Sequence, residues 1–221
     1  CGPSIGGILA DNIGERWTLA VAALLALGSM GAIRTLPRQS SDSAAEQAAA
    51  RAPSGREIVS LLLNRRFMTV TGLAAIPAKV LLTGVCFYLV PLYVLSIGST
   101  QSVVGRILML YGVVMVVVSP LAAAFAVNRQ RMEWLVGAGL LLSGTGTLLM
   151  VAGAHVGWVF AAVFLVGLGQ SLSIAAQSAL VREHCEAEVG AMGEPAVYGV
   201  YRLIERLGNA LGPLLAAVLL M

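Results

Sequence analysis

Apolar residues come in long, unbroken blocks along this chain, and short polar stretches separate the blocks. Each block has about 20 residues or more, the length that an α-helix needs to cross about 30 Å of hydrocarbon. None alternates between apolar and polar residues, as the strands of a membrane barrel would. The pattern therefore predicts an all-α membrane protein, a polytopic bundle of transmembrane helices. We predict spans at residues 17–36, 67–95, 103–127, 134–152, 158–181 and 196–221.

Composition supports this class of protein. Of the 221 residues, 58% are apolar and 11% are charged, whereas soluble domains have about 45–50% and about 25%. The first apolar block has only about ten residues before Asp11, too few to span a bilayer. The last block has no polar flank. We therefore expect a fragment, whose partners include missing helices of the same chain as well as the lipid bilayer.

Nothing in the sequence resembles an enzyme site. The three cysteines are far apart, and His184-Cys185 is a lone pair of possible ligands where a metal site needs three or four. There is no Ser/His/Asp set and no phosphate-binding loop. Basic loops account for the net charge of +3 without nucleic acid. We predict no enzyme activity, no cofactor and no metal.

Arginines mark one side of the membrane, because basic residues beside short loops are retained in the cytoplasm. The loops on one predicted side carry nine arginines and those on the other side carry two. We therefore predict a multi-pass protein of the cell (plasma or inner) membrane. Its loops at 38–66, 128–133 and 182–195 would be cytoplasmic.

The longest loop divides the chain into structural halves. We expect the end of a first half at 1–37, a linker at 38–66 and a second half at 67–221. The linker begins as QSSDSAAEQAAARAPSG, a flexible composition. It continues as SGREIVSLLLNRRF, where apolar residues share one face among arginines, which indicates a short interfacial helix. Alternatively, this stretch simply begins the next span.

The first residues carry a motif of small residues and one proline: Gly2, Pro3, Gly6 and Gly7. A polar turn, an apolar helix ending in Leu36-Pro37 and the basic loop follow. This order resembles the fifth and sixth helices and the central loop of a major facilitator superfamily transporter. In that family the motif is most typical of proton-coupled antiporters. Glycines let helices approach closely, and proline bends a helix at a fixed place.

The resemblance implies that the chain covers the end of the fifth helix through most of the eleventh of twelve. Residues 7–16 also resemble the motif between the family's second and third helices. That alignment would place the arginine-rich linker outside, against the charge count. A similar Gly-Pro pair in the last span would be the symmetry mate of the first. Its packing residues are Gly208, Gly212 and Pro213.

Lys79 is the first candidate for chemistry. It is the only lysine, it lies about 12 residues into its predicted span, and Pro77 interrupts the helix just before it. A charge inside the membrane costs about 2.5–3.5 kcal/mol and marks a functional site unless it reaches an interface. By resemblance this is helix seven, which lines the central cavity and also carries Tyr88. We predict that Lys79 and Tyr88 bind substrate.

A polar stripe in the 158–181 span is the second candidate. Gln170, Ser173 and Gln177 fall on one helical face. Such a stripe lines water or bonds a neighbouring helix. By resemblance this is helix ten, also a cavity helix, so we predict that these residues bind substrate. Interhelical hydrogen bonding is the alternative.

Glu205 and Arg202 form the third candidate. They are three residues apart on one helix and can neutralise each other. Glu205 is the only carboxylate plausibly within the membrane, so we predict that it carries protons. The alternative is an ion pair at the cytoplasmic interface.

These observations predict a secondary active transporter. It would move a small organic solute by alternating access, in proton-coupled, antiporter-like efflux. The alternative is a membrane-embedded sensor of the same fold that binds a ligand and signals without transport.

Overall fold

The computed structural model describes residues 9–10, 12–33, 54–126, 128–153 and 155–220, and these contain helices and no strand. The motif of Gly2, Pro3, Gly6 and Gly7 and the linker up to residue 53 lie outside the described residues. We number the helices α1 (Glu15–Ile33), α2 (Gly55–Leu63), α3 (Arg65–Ser96), α4 (Gln101–Phe125), α5 (Arg129–Leu149), α6 (Val156–His184), α7 (Glu186–Met192) and α8 (Glu194–Leu219).

Four helices, α3 to α6, are long and apolar enough to cross a membrane. They confirm four of the predicted spans. α1 and α8 are helical where spans are predicted. The apolar stretch described in α1, Arg16–Ser29, is shorter than a full span, and α8 carries charged residues along its first half. Their crossing of the membrane stays a prediction.

Several helices begin earlier or end later than the apolar blocks. α5 begins at Arg129, because the Asn128 side chain accepts a hydrogen bond from the Arg131 amide and caps the helix. Most of the stretch 128–133, predicted as a loop, is therefore helical. The stretch 182–195 likewise contains the end of α6 and all of α7.

α6 lies at the centre of the described bundle. It packs against α5 on one side and α4 on the other, while α8 packs along α3. More than half of the apolar part of α6 is buried, compared with 17% of that of α4. α4 therefore exposes most of its apolar surface, as a helix facing lipid does.

Small residues bring α5 and α6 together. A Cβ atom built on Gly146 would lie 2.9 Å from the Ala162 carbonyl oxygen. Gly139 and Gly169 face each other so closely that a Cβ on either would meet the other's carbonyl oxygen. Larger side chains would force these helices apart, so the glycines set their separation.

Glycines also set the contact between α3 and α8. A Cβ on Gly208 would lie 2.9 Å from the Ile76 carbonyl oxygen, and one on Gly84 would lie 2.8 Å from the Gly212 carbonyl oxygen. Gly208 and Gly212 are four residues apart and so share one face of α8. Pro213 directly follows this face.

α3 is not a uniform α-helix. It contains two π-helical segments, Thr71–Ala75 and Leu82–Leu89, on either side of the α-helical segment Ile76–Leu81. A proline follows each π segment closely, Pro77 after the first and Pro91 after the second. Because proline has no backbone N–H, it cannot close the usual hydrogen bond to the preceding turn.

A separate short helix, α2, precedes α3. Ser54 and Glu57 form a capping box at its start. Asn64 separates the two helices, since its side chain accepts hydrogen bonds from the backbone amides of Arg66 and Phe67 and so starts α3. The stretch SGREIVSLLLNRRF therefore forms one short helix, one joint residue and the first turn of a span.

Candidate functional site

Two ionisable residues predicted separately, Lys79 on α3 and Glu205 on α8, lie side by side. The Lys79 Nζ atom is 3.5 Å from Glu205 Oε1, and the two side chains are 13% and 4% exposed. Arg202 donates a hydrogen bond of 2.8 Å from Nη1 to the other carboxylate oxygen, Oε2. Glu205 is therefore a nearly buried carboxylate held between two cations.

The pair lies well inside α3. At 1.5 Å of rise per residue, Lys79 is about 18 Å from Phe67 and about 24 Å from Leu95 along the helix. An unpaired charge at such a depth is costly. The carboxylate of Glu205 supplies the opposite charge, and Lys79 offsets the burial of Glu205 in the same way.

Close packing makes this contact possible. Gly208 lies one helical turn after Glu205, and a Cβ on it would be 2.9 Å from the Cβ of Lys79. Only glycine leaves room for the lysine stem between the two backbones. The packing residues that the sequence singles out in α8 thus lie directly beside the charged ones.

Gln170 is fully buried, on the face of α6 that meets α3. Its Nε2 donates a hydrogen bond of 2.8 Å to the carbonyl oxygen of Ala78, the residue before Lys79. Its Oε1 has no hydrogen-bond partner among the described residues. Gln170 therefore holds the backbone of the turn that carries Lys79.

Gln177 and Ser173 form a second polar contact, toward α8. Gln177 is fully buried and donates from Nε2 to the hydroxyl oxygen of Ser173. The Tyr201 hydroxyl donates to Gln177 Oε1 at 3.3 Å. The Gln170–Ala78 and Tyr201–Gln177 hydrogen bonds are interhelical bonds, which the sequence left open as the alternative to substrate binding, whereas the Gln177–Ser173 bond lies within α6.

Tyr88 lies apart from the ion pair. It is half-buried, and helical rise places it about 13 Å beyond Lys79 along α3. Two surface grooves also lie elsewhere: one of about 350 Å³ beside Leu89 and Tyr93, and one of about 480 Å³ beside Arg182 and Tyr198.

The neighbouring residues His184 and Cys185 lie where α6 ends. Burial, together with the negative charge of Glu188, raises the pKa of the Cys185 thiol to about 11. The thiol is therefore protonated at neutral pH and is a poor metal ligand. Among the described residues, no three His, Cys, Asp or Glu side chains are grouped as metal ligands would be.

Sequence reasoning missed two parts of this arrangement. It did not place Lys79 beside Glu205, although one lysine and one glutamate of opposite charge, each inside an apolar helix, were a signal for pairing. It also missed Tyr201, which bridges α6 and α8. No sequence signal distinguishes Tyr201 from a tyrosine that packs through its ring alone.

The fold and the charge pair define a class: a polytopic, all-α membrane protein with ionisable groups inside its helices. A comparison with known families gives the particular family. Residues 1–220 match the family model of the Major Facilitator Superfamily, so the chain belongs to that family. No curated protein and no solved structure matches the chain. The resemblance seen in the sequence is confirmed, and the protein is a membrane transporter.

Proposed function

We propose that this protein exports a small organic solute across the cell membrane in exchange for protons, as a secondary active transporter working by alternating access. The observation that supports this proposal most directly is the contact between Lys79 and Glu205. It joins two helices through charges that a single proton can alter. The predicted orientation, with the stretches 38–66, 128–133 and 182–195 in the cytoplasm, belongs to the proposal.

Glu205 is the group that we propose to gain and lose the proton. Among the described residues, every other carboxylate lies in a loop, in a short helix or within two turns of a helix end. Protonation of Glu205 would remove its attraction to both Lys79 and Arg202. The two cations would then repel each other, so one proton changes the contact between α3 and α8.

The exposed surface of α8 supports a water-filled cavity beside this pair. Arg202 and Arg206 are both exposed and are one helical turn apart on one side. Leu203 and Leu207 are 65% and 56% exposed on another side. Charged side chains avoid lipid and leucines do not, so we place the arginine side in the cavity between the halves of the transporter.

We propose that the solute contacts Lys79 and Tyr88 in this cavity. Gln170, Ser173 and Gln177 would support the site through the hydrogen bonds described above. Gln170 would fix the turn that carries Lys79, and Gln177 would fix Tyr201 beside Arg202. Mutation of these three residues would then weaken binding through the position of α3 and α8.

Exchange follows if solute and proton use the site in turn. The solute would bind while Glu205 is ionised and holds Lys79 in place. A proton reaching Glu205 from the other side of the membrane would break both ion pairs and release the solute. The two halves would rock about this site between the two steps, as related halves do in transporters of this kind.

The experiment uses the complete protein in everted membrane vesicles with an imposed pH gradient. Small organic solutes are added one by one, beginning with cationic ethidium and anionic carboxyfluorescein. Acridine orange fluorescence reports the release of protons from the vesicle lumen in exchange for solute. Glu205→Gln, which resembles the protonated carboxyl, should abolish proton release and weaken solute binding as well, since the solute binds while Glu205 is ionised. The matched control is Glu133→Gln, an exposed carboxylate on α5 paired with Arg129. Proton release that is unchanged in Glu205→Gln would refute the role of Glu205.

Lys79→Ala tests the solute contact. It should abolish or redirect transport and leave membrane insertion intact, whereas Lys79→Arg, which keeps the charge, should retain part of the activity. Unchanged transport by Lys79→Ala would remove Lys79 from the site. Solute binding without movement across the membrane in the unmodified protein would favour the sensor instead.

A further inference from the structure

The joint between α2 and α3 carries positive charge and exposed apolar side chains together. Arg65 and Arg66 are exposed at the joint, and Arg56 is exposed in the first turn of α2, about 12 Å of helical rise before Asn64. Between them in sequence, Val59 and Leu63 are 53% and 78% exposed. This combination is typical of a helix that lies at the surface of a bilayer.

The two sides of α2 differ. Arg56, Val59 and Leu63 fall at i, i+3 and i+7 and so share the outer face. Leu61 is fully buried on the other side, in the same core as Phe67 of α3. α2 is therefore fastened to the bundle by one face and presents the other outward.

The first turns of α3 also expose apolar side chains. Met68 and Leu73 are 40% and 71% exposed along the first turns of that span. Exposed apolar side chains on a membrane-spanning helix contact acyl chains. Arg65 and Arg66, in the first turn of α3, thus lie at the end of this exposed apolar surface.

The three arginines form no ion pair among the described residues: no Asp or Glu oxygen lies within 4.0 Å of the charged nitrogens of Arg56, Arg65 or Arg66. Glu57 accepts a hydrogen bond from the Ser54 amide at 2.6 Å. Glu188 accepts one from the Asn64 side chain, also at 2.6 Å. These two carboxylates keep their negative charge, so three arginines and two carboxylates leave a local excess of one positive charge.

Two other arginines at this end of the bundle differ. Arg129 lies 2.9 Å from Glu133, and Arg182 lies 4.0 Å from Glu194. Arg131 is exposed and, like Arg65 and Arg66, has no carboxylate oxygen within 4.0 Å among the described residues.

We propose that the α2–α3 joint binds an anionic phospholipid. The guanidinium groups of Arg65 and Arg66 would hold the phosphate, and an acyl chain would lie along Leu63 and Met68. Lipid binding here is separate from transport and does not depend on Glu205 or Lys79. It would fix the position of α2, which Asn64 and Leu61 connect to α7 and to the core.

The test measures lipids that stay bound to the complete, purified protein, using native mass spectrometry after exchange into vesicles of phosphatidylcholine with or without phosphatidylglycerol. The protein should retain phosphatidylglycerol in preference to phosphatidylcholine. Arg65→Gln/Arg66→Gln should weaken this retention at least about tenfold, since each basic residue near a bilayer surface adds to the attraction. Added salt should weaken it as well.

The matched control is Arg129→Gln/Arg182→Gln, which removes the same charge from paired arginines and should leave retention unchanged. Arg65→Lys/Arg66→Lys keeps the charge and should retain most of the lipid, which separates loss of charge from loss of folding. Three results would overturn the proposal: equal retention of both lipids, equal losses in the Gln pair and its control, or full displacement of phosphatidylglycerol by inorganic phosphate.

Discussion

Two helix pairs in this protein pack in the same way but carry different side chains at their contacts. α3 with α8 and α5 with α6 both meet at glycines whose Cβ atoms would collide with the opposite backbone. The side chains nearest the glycines of the α5–α6 contact are neutral: Ser143, Leu165 and Ser173. The α3–α8 contact contains Lys79 and Glu205, and α3 itself has two π-helical segments.

This difference distinguishes the features that pack two helices together from the features that packing does not require. Close packing at small residues is enough to hold two membrane helices together, as α5 and α6 show. Charges add nothing that such packing requires, and burying them is costly. In the proposed function, the charges beside the glycines of the α3–α8 contact respond to a proton.

The largest effect should come from unpairing the charges of the α3–α8 contact. Lys79→Met leaves Glu205 buried beside Arg202 alone and should destabilise the protein by about 3–5 kcal/mol. Lys79→Met/Glu205→Gln removes both charges and should recover much of that loss. Unfolding in mixed micelles measures the free energies. Losses that simply add in the double variant would show that the pair does not couple the helices.

The glycines should give the next largest effect, and in both pairs. Gly139→Ala on α5 and Gly212→Ala on α8 should each cost about 1–3 kcal/mol, because the new methyl group collides with backbone or side-chain atoms. Gly137→Ala and Gly72→Ala, on the same helix and on the partner helix, meet open space. These controls should be neutral or stabilising by up to about 1 kcal/mol. The same unfolding assay measures the four free energies of unfolding. Equal losses of stability at all four positions would contradict the packing argument.

A smaller effect on stability is expected at the hydrogen bond that joins the two helix pairs, between α8 and α6. Tyr201→Phe removes the hydrogen bond from α8 to Gln177 on α6 and should cost about 1 kcal/mol. Gln177→Leu/Tyr201→Phe should cost less than the sum of the single losses, because no buried partner is left alone. Thermal unfolding of the four proteins completes the cycle. A Tyr201→Phe variant as stable as the unmodified protein would mean that the ring alone holds α8.

The smallest effect should come from Ser143, inside the neutral pair. Its hydroxyl oxygen is buried and has no hydrogen-bond partner among the described residues. Ser143→Ala should therefore be neutral or stabilising by up to about 1 kcal/mol. Ser173→Ala is the contrasting variant, since the Ser173 hydroxyl accepts a hydrogen bond from Gln177, and it should destabilise. Thermal unfolding that ranks the two variants the other way would contradict this reading of the α5–α6 contact.

The spans were predictable because membrane burial requires long apolar helices, and the apolar residues of each helix are consecutive in the sequence. The predicted span 67–95 matches α3, Arg65–Ser96, within two residues at each end. The end of a helix depends on caps such as Asn128, which an apolar block does not reveal. Helix starts were therefore predicted less well than helix interiors.

The individual site residues were predictable for the same local reason. Lys79, Gln170 and Glu205 stand out because polar groups are rare inside apolar helices. Their contacts were not predictable, since these depend on which helices are neighbours and how close glycines let them come. The Gln170 hydrogen bond to Ala78 shows this, because a backbone carbonyl carries no sequence signal at all.

The two π-helical segments of α3 have a consequence for how this helix can vary. A π turn holds one residue more than the hydrogen bonds of an α turn enclose. Loss of one residue within Thr71–Ala75 could therefore be absorbed by converting that turn to α-helix, with Lys79 still facing Glu205. The same loss at Pro77 or Ala78, in the α-helical segment before Lys79, would rotate Lys79 away from its partner. Single-residue insertions and deletions among related transporters should therefore fall in the π segments.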